Sequence, residues 1–123
     1  MSDSTPAPSA TALAGLLAVA GVAHFVTPRP FDAIVPRALP GRPRTWTYLS
    51  GAAELGIAAA LAHPRTRRTG GRLAAGLFLA VLPANVQMAL DWHDRSPALR
   101  AAAWCRVPLQ APLVLRSLRI ARG

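Results

Sequence analysis

Five side chains that hydrocarbon should reject, His24, Glu54, Asn85, Arg106 and Gln110, lie within otherwise apolar stretches of this 123-residue chain. Their types suit proton exchange or the grip of a small polar headgroup. An imidazole donates or accepts a proton near neutral pH. Glu54 is the sole glutamate, and a carboxylate deep in a bilayer is costly unless it is paired or protonated. Arg106 is the only arginine inside an apolar run, which makes it the natural partner for Glu54. Gln110 follows Arg106 at helical spacing on the same face. Asn85 and Gln87 come just after Pro83, where a helix bends and leaves carbonyls free to bond amides.

The elements that must position these groups are four apolar runs set apart by arginines. A spanning helix needs about 20 apolar residues. Such runs cover residues 7–26, 45–63, 73–90 and, within a helix expected over 99–117, residues 101–115. The first and third have no charged face, which a soluble bundle helix requires. The sequence therefore predicts an all-α fold, a four-helix transmembrane bundle with a Pro-rich interfacial segment between helices 1 and 2. Residues 1–8, rich in Ser and Pro, read as disordered, residues 9–118 as one membrane domain, and residues 119–123 as a basic tail. The first run has no Arg or Lys before it, so it reads as a retained helix, not a cleaved signal.

An up-down order places all the polar groups in one half of the membrane. At 1.5 Å per residue, His24 lies roughly 3 Å below one face, Asn85 about 8 Å, Arg106 about 9 Å and Glu54 about 13 Å. Four separate placements agreeing in depth point to one shared polar cluster. Rows of small residues four apart, Ala52–Gly56–Ala60 and Gly76–Ala80–Ala84, offer surfaces for close helix contact.

The chain has 14 basic residues against 5 acidic, a formal charge of +9, and every basic residue is arginine. The arginines cluster at the ends of the runs, as headgroup contact and topology control require. They form no stripe along one face, which argues against nucleic acid as a partner. Arg65, Arg67, Arg68, Arg72, Arg116, Arg119 and Arg122 would share one membrane face, against Arg29, Arg37, Arg42, Arg44, Arg95 and Arg100 on the other. The excess of one favours N-in and C-in. The implied setting is a cytoplasmic membrane, crossed several times.

The connection TPRPFDAIVPRALPGRPR holds five prolines and cannot be one helix. Phe31, Ile34 and Val35 keep helical spacing after Pro30, so a short amphipathic turn is expected in the interface, with Arg29 and Arg37 toward headgroups. Trp46, Tyr48 and Trp92 fit an aromatic belt. The single cysteine, Cys105, forms no disulfide or redox pair within the chain. The Asp91–Asp94 stretch matches no metal-ligand spacing, so no metal is expected, and no phosphate loop or nucleophile elbow is present.

The strings GVAHFVTP, I-V-P-x-x-L-P, S-G-x-x-E-L, LPANVQMAL and RVPLQ, in this order, resemble those of the DoxX-like small membrane proteins. That resemblance covers about residues 12–115. It implies a four-helix bacterial membrane protein linked to membrane oxidoreductase systems, with His24, Glu54, Asn85, Arg106 and Gln110 as the family-like polar residues. It supplies no catalytic mechanism. Three functions are weighed. One is an accessory subunit that holds a quinone-like or lipid-like molecule for a membrane or soluble redox partner. Another is a structural or partner-binding protein whose cluster only locks the helices. The last is a small-solute transporter, for which four spans are few and no inverted repeat is visible. A homo-oligomer is compatible with each, and none requires an independent enzyme.

Overall fold

The computed structural model describes residues 7–123. The segment expected to be disordered lies outside the described residues for positions 1–6, and the first helix already includes positions 7 and 8. All regular structure among the described residues is helical: α1 (Ala7–Val26), α2 (Pro28–Asp32), α3 (Pro43–Ala62), α4 (Arg67–Ala80), α5 (Leu82–Asp91) and α6 (Pro97–Arg122), with a single 3-10 turn at Trp92–Asp94.

Local chemistry sets the boundaries. α2, α3 and α6 each begin on a proline in the first turn, where a missing N–H costs nothing. α3 ends at His63, which is extended because Pro64 follows. The Thr66 hydroxyl donates to the Ala60 carbonyl at 2.8 Å and Arg67 Nε to the Leu61 carbonyl at 3.2 Å, closing the end of α3. Only residues 63–66 join α3 to α4, so Arg67, Arg68 and Arg72, expected in a loop, instead occupy the first turns of α4. The Ser96 hydroxyl caps α6 by accepting from the Leu99 N–H. α6 continues through Pro108 and Pro112 to Arg122, taking in residues 119–122 that were expected to form a tail. The helix breaks at Val81, two residues ahead of Pro83, between α4 and α5.

α1 packs on α3, α3 on α4, and α4 and α5 on α6, while α2 lies against α3. The closest approaches are made by glycines other than those in the expected small-residue rows. Gly21 of α1 faces Gly51 of α3, and a Cβ at Gly51 would meet His24 Cβ at 2.8 Å and the Gly21 carbonyl at 3.1 Å. Gly70 lies against Leu61, and Gly71 against Ser117 and Ala121. Gly56 and Gly76 have open space where a side chain would go. Alanine is so common here that spacing alone does not reveal which small residues meet.

The bundle divides lengthwise by chemistry. At the end where α1 and α4 begin and α3 and α6 finish, Leu13, Leu17, Ile57, Leu61, Phe78 and Ile120 form the apolar core. The opposite end holds the buried polar residues His24, Thr47, Glu54, Asn85 and Gln110, while buried Ser117, at the apolar end, spends its hydroxyl on the Leu113 carbonyl of its own helix. Two helical runs are long and apolar enough to cross a membrane, Ser9–Val26 and Arg67–Asp94. α3 and α6 have the length but not the hydropathy, since α3 carries Arg44, Glu54 and several hydroxyls and α6 carries five arginines at 100, 106, 116, 119 and 122.

Candidate functional site

Between the polar halves of α1, α3, α5 and α6 lies a cavity of about 470 Å³. His24, Glu54, Asn85 and Arg106 line its polar side. Gln110 does not reach it but binds one of the residues that do.

The close Gly21–Gly51 crossing carries the first contact. α1 and α3 run antiparallel here, so His24 comes level with Gly51, and its Nδ1 stands 3.0 Å from Oε1 of Glu54, one turn along α3. The same Nδ1 is 2.6 Å from the Ala20 carbonyl. A carbonyl only accepts, so Nδ1 carries a hydrogen and gives it to Ala20. Glu54 Oε1 lies beside the ring and has no hydrogen bond among the described residues. The other face of the imidazole question is packing: the His24 ring stacks on Phe31 with centroids 3.8 Å apart.

The expected Glu54–Arg106 pair is not formed. Arg106 Nη1 donates to Gln110 Oε1 at 2.8 Å, and Gln110 Nε2 donates to the Phe78 carbonyl at 2.6 Å. Gln110 thus ties α6 to α4 one turn before the Val81 break. Glu54 and Arg106 face the same cavity from different helices. Asn85 is 5% exposed, and its Nδ2 has no acceptor among the described residues.

The Pro-rich connection covers this cavity. Phe31, Ile34, Val35 and Leu39 supply apolar lining, with Trp46 at the start of α3. Three sets of polar contacts pin the cover down. Asp32 accepts from the Thr47 hydroxyl at 2.6 Å and from Arg44 Nε at 2.8 Å. Trp46 Nε1 donates to the Pro40 carbonyl at 2.7 Å. On the far side, Gln87 grips the backbone in both directions, its Nε2 donating to the Val35 carbonyl at 2.9 Å and its Oε1 accepting from the Arg37 N–H at 3.1 Å. Arg37 also makes a two-pronged contact with Asp91, at 3.1 and 3.2 Å. Arg37, although paired with Asp91, is exposed to the outside, as Arg29 is.

These contacts act on the charged groups of the cover. The Thr47 hydroxyl first, and then Arg44, hold the Asp32 carboxyl below its ordinary range against a smaller opposing effect of burial. Hydrogen bonding to Asp91 raises Arg37 above its ordinary value. Sequence reasoning isolated the cavity-lining residues from their cost in hydrocarbon but missed Asp32, Thr47 and Asp91. The signal was slight: Asp32 and Asp91 are two of only five acidic residues in the chain.

No curated protein and no solved structure matches the chain. The resemblance to DoxX-like proteins is not upheld, because the family model that matches is a different one, and it covers nearly the whole chain. The strings that carried the resemblance consist mostly of small, apolar and proline residues, which serve close packing in any helical membrane protein. The match, to a family described as a domain of unknown function (DUF8561), spans residues 13–121, and the chain belongs to that family.

Proposed function

We propose that this chain is a four-span protein of the bacterial cytoplasmic membrane that holds a small lipid-soluble molecule, quinone-like or lipid-like, in the covered cavity as an accessory subunit for a partner protein. The observation that carries the reading is the pair Glu54 and Asn85. Each is more than nine-tenths buried, each faces the cavity, and each keeps a polar atom without a hydrogen bond among the described residues. Buried polar atoms are nearly always satisfied, so two orphans on one cavity mark a place for a ligand.

Four spans are supported by the outer surface as well as by the two strongly apolar helical runs. Val19 and Val26 of α1 are each 71% exposed, and Leu49 of α3, Leu79 of α4 and Trp104, Leu109 and Leu115 of α6 face outward. Apolar side chains on the outside of every long helix suit lipid. In this arrangement Arg106 is shielded inside the bundle, and the end arginines of α6 reach the headgroups. The arginine count favours N-in and C-in. Labelling of single cysteines at Thr66 and Ser96, in a Cys105→Ser background, with a membrane-impermeant maleimide on intact cells tests this. Modification of Ser96→Cys alone is expected, and modification of both or neither excludes the topology.

The cavity reading is tested by native mass spectrometry of the full chain released from mild detergent, together with organic extraction. A retained small molecule that is lost in Asn85→Leu is expected. A bare polypeptide with no extractable molecule would defeat the reading. One observation favours the structural alternative: the Arg106–Gln110–Phe78 chain is complete within the protein and needs no ligand. Under that alternative, substitution at Glu54 changes thermal stability and nothing else.

A further inference from the structure

The cavity's unmet hydrogen-bonding capacity is specific in sign. Glu54 Oε1 is an acceptor without a donor, because the Nδ1 hydrogen of His24 goes to Ala20. Asn85 Nδ2 is a donor without an acceptor. Arg106, whose Nη1 is engaged with Gln110, has further N–H groups on the same side of the cavity. A headgroup seated here must therefore offer a donor to Glu54 and an acceptor to Asn85.

Net charge narrows the class. An acid and a guanidinium line the same cavity, so a cationic head meets Arg106, and an anionic head both meets the acid and bears the cost of burying a charge. A neutral head meets neither penalty. Shape narrows it further. Phe31, stacked on His24, and Trp46 supply aromatic lining, and Ile34, Val35 and Leu39 close the cavity with apolar surface. Such walls suit a ring.

We infer that the cavity selects a neutral, ring-bearing hydroxyl compound, of the phenol or quinol class, whose hydroxyl donates to Glu54 and whose oxygen accepts from Asn85, and that it discriminates against the matching compound that can only accept. The inference rests on the ligand-cavity reading above and specifies the chemistry of the ligand. It implies that, for a quinone couple, the reduced form binds in preference to the oxidised form, since a quinone offers oxygen acceptors and leaves Glu54 Oε1 unanswered. A buried group left unpaired by the wrong ligand penalises that ligand strongly.

The test uses the full chain in lipid nanodiscs and two probes with the same tail, a 4-alkylphenol and its methyl ether. Both carry an oxygen that accepts, and only the phenol donates. The phenol is expected to bind at least about tenfold more tightly. Glu54→Gln should shrink this ratio severalfold, whereas Asn85→Leu should weaken both probes alike and leave the ratio unchanged. The ratio in the unsubstituted protein decides the matter even if a variant fails to fold. Equal binding of the two probes overturns the inference and leaves the cavity reading standing. Binding of neither probe, in protein that retains another small molecule on purification, likewise overturns the inference alone. Binding of neither, in protein from which nothing is extracted, overturns both.

Discussion

Gly21 and Gly51 face each other across the α1–α3 crossing with no room for a methyl group on either, and this contact is what brings His24 onto Glu54 one turn away. A Cβ at Gly51 would press on His24 Cβ, Phe25 and the Gly21 carbonyl. Gly51→Ala is therefore expected to destabilise the fold by about 1–3 kcal/mol through overpacking. Gly56→Ala, one and a half turns further along the same helix, meets nothing and should stabilise slightly, by about 0.5–1 kcal/mol. Thermal unfolding of both variants in one detergent compares them, and equal effects would refute the assignment of the contact.

The cover is held by groups of unequal worth. Arg37 and Asp91 are 74% and 32% exposed at the side chain, so Arg37→Gln should leave the melting temperature almost unchanged. Gln87 is half-buried and satisfies two backbone groups of the cover at once. Gln87→Leu should cost about 1–3 kcal/mol and speed proteolytic nicking of residues 33–42. Limited proteolysis of the two variants side by side measures the order.

Asp32 gives a pH signature. Its carboxyl is held below the ordinary range, by the Thr47 hydroxyl above all and then by Arg44. A group with a depressed folded pKa contributes stability that is fully present above its unfolded value, near pH 4, and is lost as pH falls through the lower folded value. The melting temperature of the unsubstituted protein should exceed that of Asp32→Asn above about pH 4, and the two curves should converge under more acid conditions. A constant gap across the whole range would show that Asp32 acts by something other than its charge.

Gln110 links a cation on α6 to a carbonyl on α4, and it is 3% exposed. Gln110→Leu would leave both partners without it, at an expected cost of about 1–3 kcal/mol. Arg106→Leu with Gln110 retained should cost less, since Gln110 still bonds Phe78. Reversal of that order in thermal unfolding would place the weight of the link on Arg106.

The helical elements and the residues on the cavity were legible because each follows from one property of one segment. Apolar length marks α1 and the α4–α5 run, and the penalty for burying charge singles out His24, Glu54, Asn85 and Arg106. Pairing was not legible, because it depends on how two helices are rotated about their axes. Arg106 is the obvious counterion for Glu54 by charge alone, but the Gly21–Gly51 crossing turns Glu54 toward His24, and Gln110 takes Arg106. The cover was read as an interfacial segment and not as a lid on the cavity because its anchors Gln87 and Asp91 lie some fifty residues away in sequence. α3 and α6 fall short of a span by composition because Arg44 and Glu54 in the one and five arginines in the other lower their hydropathy.

The cover leaves α1 only four residues after His24, and it places Phe31 flat against the imidazole. Lifting it to admit a guest must unstack that ring and wet the acid–imidazole pair in the same movement. Access to the cavity and exposure of the pair are therefore mechanically tied, because one segment is both the roof of the first and, through Phe31, the wall of the second.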